Sequence, residues 1–358
     1  MSVSTPASTE NQPETLSGAQ IVVRLLERQG IGVVAGIPGG AILPFYDALS
    51  ETDKIHHVLA RHEQGAGFMA QGMARATGQA AVCMASSGPG ATNLLTAIAD
   101  AKLDSIPVVA ITGQVPRAMI GTDAFQEVDT YGLSIPITKH NFLVTSAEEL
   151  LEVIPRAFEI ALSGRPGPVL VDIPKDVFQA QAHYTPVTTI HLPGYKLNLD
   201  GHTGQIRRAA QMIAESKQPL FYIGGGAISS NASEPLVELV EKVDAPAVCT
   251  LMGLGAIPTT HPNFVSMPGM HGSYAANMAM TECDLLIAIG ARFDDRVTGK
   301  TETFADGSQA KVDLAFLMHE IKEPQARVVK GFPPVMPKSE LSGAELSALA
   351  AYIESLAK

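Results

Sequence analysis

Apolar and polar positions follow two alternating periods along most of this chain. Short apolar runs of strand length occur at Val33-Val34-Ala35, Ile55 to Leu59, Ala81 to Ala85, Pro107 to Ile111 and Val169 to Ile173. Between them, apolar residues recur every three to four positions at Ala19–Arg28, Gly65–Arg75, Ala91–Ala101 and Ala147–Leu162. Continuous apolar strands separated by amphipathic helices imply a parallel sheet covered on both faces. The pattern predicts one doubly wound α/β domain over residues 16–187. Residues 188–204, with Leu-Pro-Gly-Tyr and Asp-Gly-His-Thr-Gly, read as a linker. The alternation then resumes with a helix at Gln205–Glu215, a strand at Leu220–Ile223, a helix at Glu234–Lys242, and strands at Ala247–Thr250 and Leu285–Gly290. That predicts a second doubly wound parallel sheet over residues 205–312. Residues 1–15 are rich in Ser, Thr, Pro and Glu and contain no Arg, which predicts a disordered leader rather than a signal or transit peptide.

Composition narrows the classes. A chain of 358 residues, 46% of them hydrophobic, is too long for one ordinary core and agrees with two domains. A formal charge of −11 counts against nucleic acid and anionic membranes as partners. The apolar runs are strand-length, too short to span a bilayer. Cys83, Cys249 and Cys283 form neither a metal-ligand spacing nor a disulfide framework. This fits a reducing compartment, so a cytoplasmic location is expected.

The candidate chemistry gathers at strand ends. Gly36-Ile37-Pro38-Gly39-Gly40, then Ser86 to Asn93 with Gly88, and Ile111 to Pro116 with Gln114 each follow an apolar strand. In open α/β sheets, ligands bind at such carboxyl-terminal turns. Glu63 stands at the first turn of the helix after Leu59, above small and apolar residues. Alone, a carboxylate there is most simply a helix cap favoured by the dipole.

Together with Gly121 to Asp129 (Gly-Thr-Asp-Ala-Phe-Gln-Glu-Val-Asp) and Gly164 to Val169, these turns resemble the catalytic large subunits of acetolactate synthase (acetohydroxyacid synthase), which are thiamine-diphosphate enzymes. The resemblance runs from about Leu16 to about Val312. It implies two doubly wound parallel-sheet domains, a pyrimidine-binding domain and an FAD-binding central domain. It implies that Glu63 hydrogen-bonds the aminopyrimidine of thiamine diphosphate, with Gly39, Gly88 and Asn93 around the cofactor. Gln114 and Lys175 match family positions near the reacting centre, and Phe125 lies in a loop that meets substrate at a neighbouring subunit's site. Read bottom-up, the same three residues are a loop amide, a solvated Lys and a packed ring. The implied reaction decarboxylates pyruvate and joins the remainder to a second 2-oxo acid, pyruvate or 2-oxobutanoate, in branched-chain amino acid biosynthesis. A homodimer or larger assembly and a regulatory small subunit are implied partners.

A second set matches the family's flavin domain: Gly224-Gly225-Gly226, Thr250-Leu251-Met252, Met270-His271-Gly272, and Gly290-Ala291-Arg292 with Asp294 and Arg296. Backbone N–H groups at Gly-rich turns suit phosphates, and the two arginines can neutralise charge. Arg165, from the first domain, matches a family contact to FAD.

Residues 313–358 read as a non-family helical tail. Gly331 to Pro337 is similar to the end of a class I cytochrome c domain, yet no Cys-x-x-Cys-His accompanies it, so Met336 is not expected to ligate haem. A helix capped by Ser342 and Glu345 is expected instead. The family's Mg²⁺ motif, Gly-Asp-Gly with a later Asn, has only a faint echo in Ala305-Asp306-Gly307-Ser308, and no Asn follows Asn277. The Mg²⁺ site is therefore not expected in these residues, and turnover by them alone is not expected. The rival readings are another thiamine-dependent carboligase or decarboxylase, and a non-catalytic flavin-binding or dimerisation fragment.

Overall fold

The computed structural model describes residues 14–299 and the backbone of 310–313. Its contacts divide the chain into two units, with the boundary between Leu197 and Asn198, inside the expected linker. The first unit contains, in order, β1 (Thr15–Ser17), α1 (Gly18–Arg28), β2 (Val33–Gly36), α2 (Leu43–Ser50), β3 (His56–Leu59), α3 (Glu63–Thr77), β4 (Ala81–Ala85) and α4 (Pro89–Asp104). It continues with β5 (Val108–Gln114), α5 (Thr130–Ser134), β6 (His140–Leu143), α6 (Leu150–Leu162), β7 (Val169–Pro174), α7 (Lys175–Gln179) and β8 (Gln181–His183). Six strands form one sheet in the order β3-β2-β4-β5-β7-β6, every pair parallel.

Two differently built layers cover this sheet. On one face α1, α2, α6 and α7 supply Ile21, Leu25, Phe45, Ile154 and Phe178 to a core of large side chains. On the other, α3 and α4 pack a small-residue layer, including Ala66, Ala70, Ala74 and Ala101, onto Cys83, Ala85 and Ala110. Small residues let these two helices approach closely; a Cβ on Gly67 would lie 2.5 Å from the Ala97 Cβ. α3 is capped at its start by His62, whose ring accepts from the Gln64 N–H, and at its end by Gly78 with φ +70°. That left-handed residue is the common glycine stop.

The second unit contains α8 (Thr203–Glu215), β9 (Pro219–Ile223), α9 (Gly225–Ser229), α10 (Ser233–Val243), β10 (Ala247–Cys249), β11 (Phe264–Ser266), α11 (Tyr274–Glu282), β12 (Leu285–Ile289), α12 (Asp295–Thr298) and β13 (Ala310–Asp313). Its sheet is also parallel throughout, in the order β11-β10-β9-β12-β13. The α/β class with two parallel sheets is thus as the periodicity predicts.

Several elements depart from the pattern. β5 runs on past Ile111 to Gln114, because Thr112, Gly113 and Gln114 are buried and paired with β7 despite their polarity. β6, an edge strand with a single buried residue, carries too little apolar signal to be read. Thr15 belongs to β1, which pairs antiparallel with β8, so the expected leader overlaps an ordered strand at that residue. Residues 1–13 lie outside the described residues, as do the helix and cytochrome-like segment expected after Asp313. Among the described residues, no helix is long and apolar enough to cross a membrane.

Candidate functional site

In each sheet the chain winds one way and then reverses, leaving a switch point between two central strands. In the first unit this lies between β2 and β4. Loops at the carboxyl ends of strands flanking such a point diverge and create a ligand crevice. Gly39, in the loop after β2, packs onto the loop after β4, where a Cβ would lie 2.4 Å from the Ser86 Cβ. The Ser86 hydroxyl accepts from the Ala41 N–H at 3.3 Å, stitching the two loops.

Glu63 enters from the neighbouring β3–α3 turn, half-buried at the start of α3. Asn93, one turn into α4, donates through Nδ2 to its Oε2 at 2.9 Å. Its Oε1 lies beside Gly90, where a Cβ would stand 3.6 Å away, so residue 90 itself puts no side chain against it. Among the described residues no cation pairs with Glu63. A half-buried carboxylate held by one neutral amide and bordered by glycine has an oxygen that could accept from a ligand N–H. The carboxylate also acts on Tyr46: burial first, and then the charge of Glu63, push that phenol above its ordinary pKa. The Tyr46 hydroxyl lies 3.2 Å from the His57 Nε2. Sequence reasoning missed this pair, whose residues stand on α2 and β3.

Gly88 meets the 121–129 loop directly. It has φ +56°, and a Cβ there would lie 2.6 Å from the Gln126 carbonyl oxygen. Only glycine allows the 121–129 loop to ride this closely over the first turn of α4. The loop is built around Glu127, whose carboxylate accepts from the N–H groups of Gly121, of Thr122 at 3.2 Å and of Ala124 at 3.0 Å. These bonds, that from Gly121 foremost, hold the Glu127 acid below the usual carboxylate range. At its tip Phe125 is 86% exposed, so it is not the packed ring of the alternative reading.

Gln114 is only 3% exposed, and its amide is fully engaged inside the protein. Nε2 donates to Val128 O at 2.9 Å and to Asp172 Oδ2 at 3.0 Å, while Oε1 accepts from Val115 N. Lys175 opens α7 two residues after Ile173, half-exposed and without an ion pair among the described residues. A cation at a helix N-terminus opposes the dipole, so its position is not explained by helix stability.

In the second unit the switch point lies between β9 and β12, and the loops after these strands carry Gly224–Gly226 and Gly290–Arg296. The glycines here serve close approach. A Cβ on Gly224 would lie 2.3 Å from Gly290 O, and one on Gly225 would lie 2.9 Å from the Met252 Cβ. The Gly224 and Gly226 N–H groups donate to Ile289 O and Gly290 O, both at 2.9 Å. These two N–H groups are therefore used internally, a correction to the expectation that this turn offers them to phosphate. Thr250 caps the next turn through its hydroxyl, which accepts from the Gly253 N–H. Gly272 folds back on Met267, whose carbonyl oxygen would lie 2.2 Å from a Cβ there.

Around these loops Leu251, Met252, Met270, Tyr274 and Phe293 are exposed. Arg292 pairs with Asp294 at 2.8 Å, Arg296 approaches the Met270 sulfur at 3.6 Å, and His271 and both arginines face solvent. An apolar shelf beside two cations fits a ligand with a flat ring system and phosphate groups. Arg165, in the first unit, donates to Ser105 Oγ at 2.7 Å and Leu103 O at 3.3 Å. Among the described residues no cluster of three or more His, Cys, Asp or Glu side chains can hold a metal ion.

Comparison with known proteins adds an independent line. Residues 16–133 match the model of the thiamine pyrophosphate enzyme N-terminal TPP-binding domain, and residues 206–325 match that of the thiamine pyrophosphate enzyme central domain. The second match runs to residue 325, which corrects the expectation that the family resemblance ends at about Val312 and that residues 313–325 belong to a non-family tail. The chain is 57% identical over 299 residues to an acetolactate synthase of Mycobacterium bovis, covering 84% of this chain and 48% of that protein. It is 54% identical over 329 residues to the acetolactate synthase isozyme 1 large subunit of Escherichia coli, covering 90% and 57%. It is 54% identical over 293 residues to a probable acetolactate synthase large subunit of Methanocaldococcus jannaschii, covering 81% and 49%. The chain spans about half the length of these curated relatives.

Proposed function

The chain belongs to the acetolactate synthase large-subunit family of thiamine pyrophosphate enzymes, and on that footing we propose that its first unit holds the aminopyrimidine half of thiamine diphosphate in such a synthase. The observation that carries this reading is Glu63. Its Oε2 is occupied by Asn93, and its Oε1 is bordered by a glycine and meets no cation among the described residues. One free carboxylate oxygen in a partly desolvated site is suited to accept from, and hold the proton of, a ring N–H. When bound, the cofactor supplies the electron sink for losing CO₂ from a 2-oxo acid. Asn93 keeps Glu63 in one orientation, and the small-residue layer beneath α3 keeps the carboxylate at a fixed height over the sheet.

We read the substrates as pyruvate with a second 2-oxo acid, either pyruvate or 2-oxobutanoate. Lys175, without an ion pair among the described residues, supports this by offering a cation to a carboxylate. Phe125, held out by its loop, offers an apolar wall to a neighbouring subunit's site in a homodimer or larger assembly. A regulatory small subunit belongs to the same reading. The shelf and arginines of the second unit support FAD there. Mg²⁺ belongs to the diphosphate half of the site, for which these residues hold no matching motif, and we expect no turnover from them alone. The proposed location is cytoplasmic.

The test is Glu63→Gln in a chain joined to a family diphosphate-binding domain, with proton exchange at the cofactor's reactive carbon followed by NMR. Loss of a positioned acid–base group is expected to slow exchange about 10²- to 10⁴-fold without unfolding. An unchanged rate reduces Glu63 to a helix cap.

A further inference from the structure

Apart from Gln71 and Ser87, every buried polar side chain among the described residues lies on β5, α5, β6 or β7, or at Thr138 beside them. This grouping follows the pleat. Ala110 and Leu170 face the small-residue layer, and two residues further along the same face come Thr112 and Asp172, direct partners across β5 and β7. Packing alone asks for apolar side chains here. Apart from Gln114 Oε1, which accepts from the Val115 N–H, the hydrogen-bonding groups of these polar side chains meet backbone of the 126–138 segment or one another. Asn141 Nδ2 donates to Tyr131 O at 2.7 Å and to Ser134 Oγ at 2.8 Å, and Thr138 Oγ1 donates to Ser134 O at 2.8 Å.

Asp172 is 1% exposed and forms no ion pair among the described residues. It accepts from Thr112 Oγ1 at 2.6 Å through Oδ1 and from Gln114 Nε2 at 3.0 Å through Oδ2. We infer that Asp172 is a positioning residue for the loop bearing Phe125, acting through Gln114. A glutamine amide can present its oxygen or its NH₂ to a neighbour, and its surroundings decide which. The Oδ2 of Asp172 accepts and does not donate, so it forces the NH₂ group inward. The second amide proton then points at the Val128 carbonyl, while Oε1 takes the Val115 N–H. The chain of contacts runs from β7 through β5 to Val128, three residues after Phe125. A carboxyl whose proton faced Thr112 would leave Oδ2 accepting as before, so the arrangement survives protonation. The role assigned to the loop rests on the functional reading above, but the network stands on geometry alone.

The experiment uses the full chain without cofactor. Amide hydrogen exchange is compared for wild type, Asp172→Leu, Asp172→Asn and Gln114→Leu. Asp172→Leu keeps the branching and removes both acceptors. Asp172→Asn can turn its oxygen to Gln114 and its NH₂ to the Thr112 oxygen, which then accepts. Exchange of residues 126–134 is expected to rise about tenfold in Asp172→Leu and Gln114→Leu, to stay within about twofold in Asp172→Asn, and to leave α1 unchanged in all three. In glutamine-¹⁵N-labelled protein the Gln114 side chain gives two separate, slowly exchanging protons, identified by their loss in Gln114→Leu. These are expected to become fast in Asp172→Leu and to persist in Asp172→Asn. The inference is overturned if Asp172→Leu leaves the loop protected, if protection falls equally across α1, or if Asp172→Asn behaves like Asp172→Leu. If Asp172→Leu does not fold, Gln114→Leu decides alone: an unchanged loop overturns the inference. Failure here leaves the Glu63 reading untouched, and failure of the Glu63 test leaves the network standing.

Discussion

Burial of Asp172 has a consequence for stability that the sign of its titration makes testable. Burial pushes its acid from 3.8 up to about 7, helped by the charge of Asp129 at the start of α5 and opposed by the bonds from Thr112 and Gln114. At about 1.4 kcal/mol per pK unit, that shift corresponds to about 4 kcal/mol of resistance to ionisation in the folded state. Below the unfolded value both states keep the proton and the group is neutral in effect. As pH rises from about 4 towards 7 the unfolded chain gives up its proton first, so the fold loses stability across that window. Above about 7 the loss is complete. Asp172→Asn cannot titrate, so the difference between variant and wild type isolates this group from every other carboxylate. The variant is expected to be more stable, by about 2–3 kcal/mol more at pH 8 than at pH 5. The slowest-exchanging amides of β5 and β7, corrected for the intrinsic pH dependence of exchange, report this opening energy directly. A variant-minus-wild-type difference that is the same at both pH values, or that falls as pH rises, refutes the reasoning.

Three further outcomes are expected. Gly224→Ala forces a Cβ to within 2.3 Å of the Gly290 carbonyl oxygen, so it should destabilise the second unit by about 1–3 kcal/mol in thermal melts, and a melt unchanged from wild type counts against the close-approach reading. Arg292→Ala should weaken FAD uptake, measured by quenching of flavin fluorescence, while an equal affinity in variant and wild type removes Arg292 from the proposed site. Glu127→Gln leaves one oxygen in place of two on the Gly121–Ala124 N–H groups. It should therefore increase proteolysis at the 121–129 loop without changing the exchange of α3, and a loop cut no faster than wild type rejects Glu127 as its anchor.

Much of this architecture was legible along the chain because its signals are local. Apolar runs such as Ala81 to Ala85 mark buried parallel strands, and the small residues after Glu63 mark a helix that packs closely. Gly39, Gly88 and Gly224 mark turns at strand ends, whereas the strand order and its switch points come only from the tertiary structure. What those turns do depends on which loops meet. Gly88 yields space to Gln126, and Gly224 to Gly290, contacts that no local pattern encodes. The same holds for Gln114: a polar residue at a strand end reads as a free amide, yet Asp172, 58 residues away, closes it off. An Asp within the apolar run Val169 to Ile173 was the one available hint. Periodicity reports only whether a position is buried. Which hydrogen-bond partner awaits it is decided by the parallel register of β5 against β7, which sets Thr112 beside Asp172 and is fixed only when helices from distant parts of the chain pack onto both faces of the sheet.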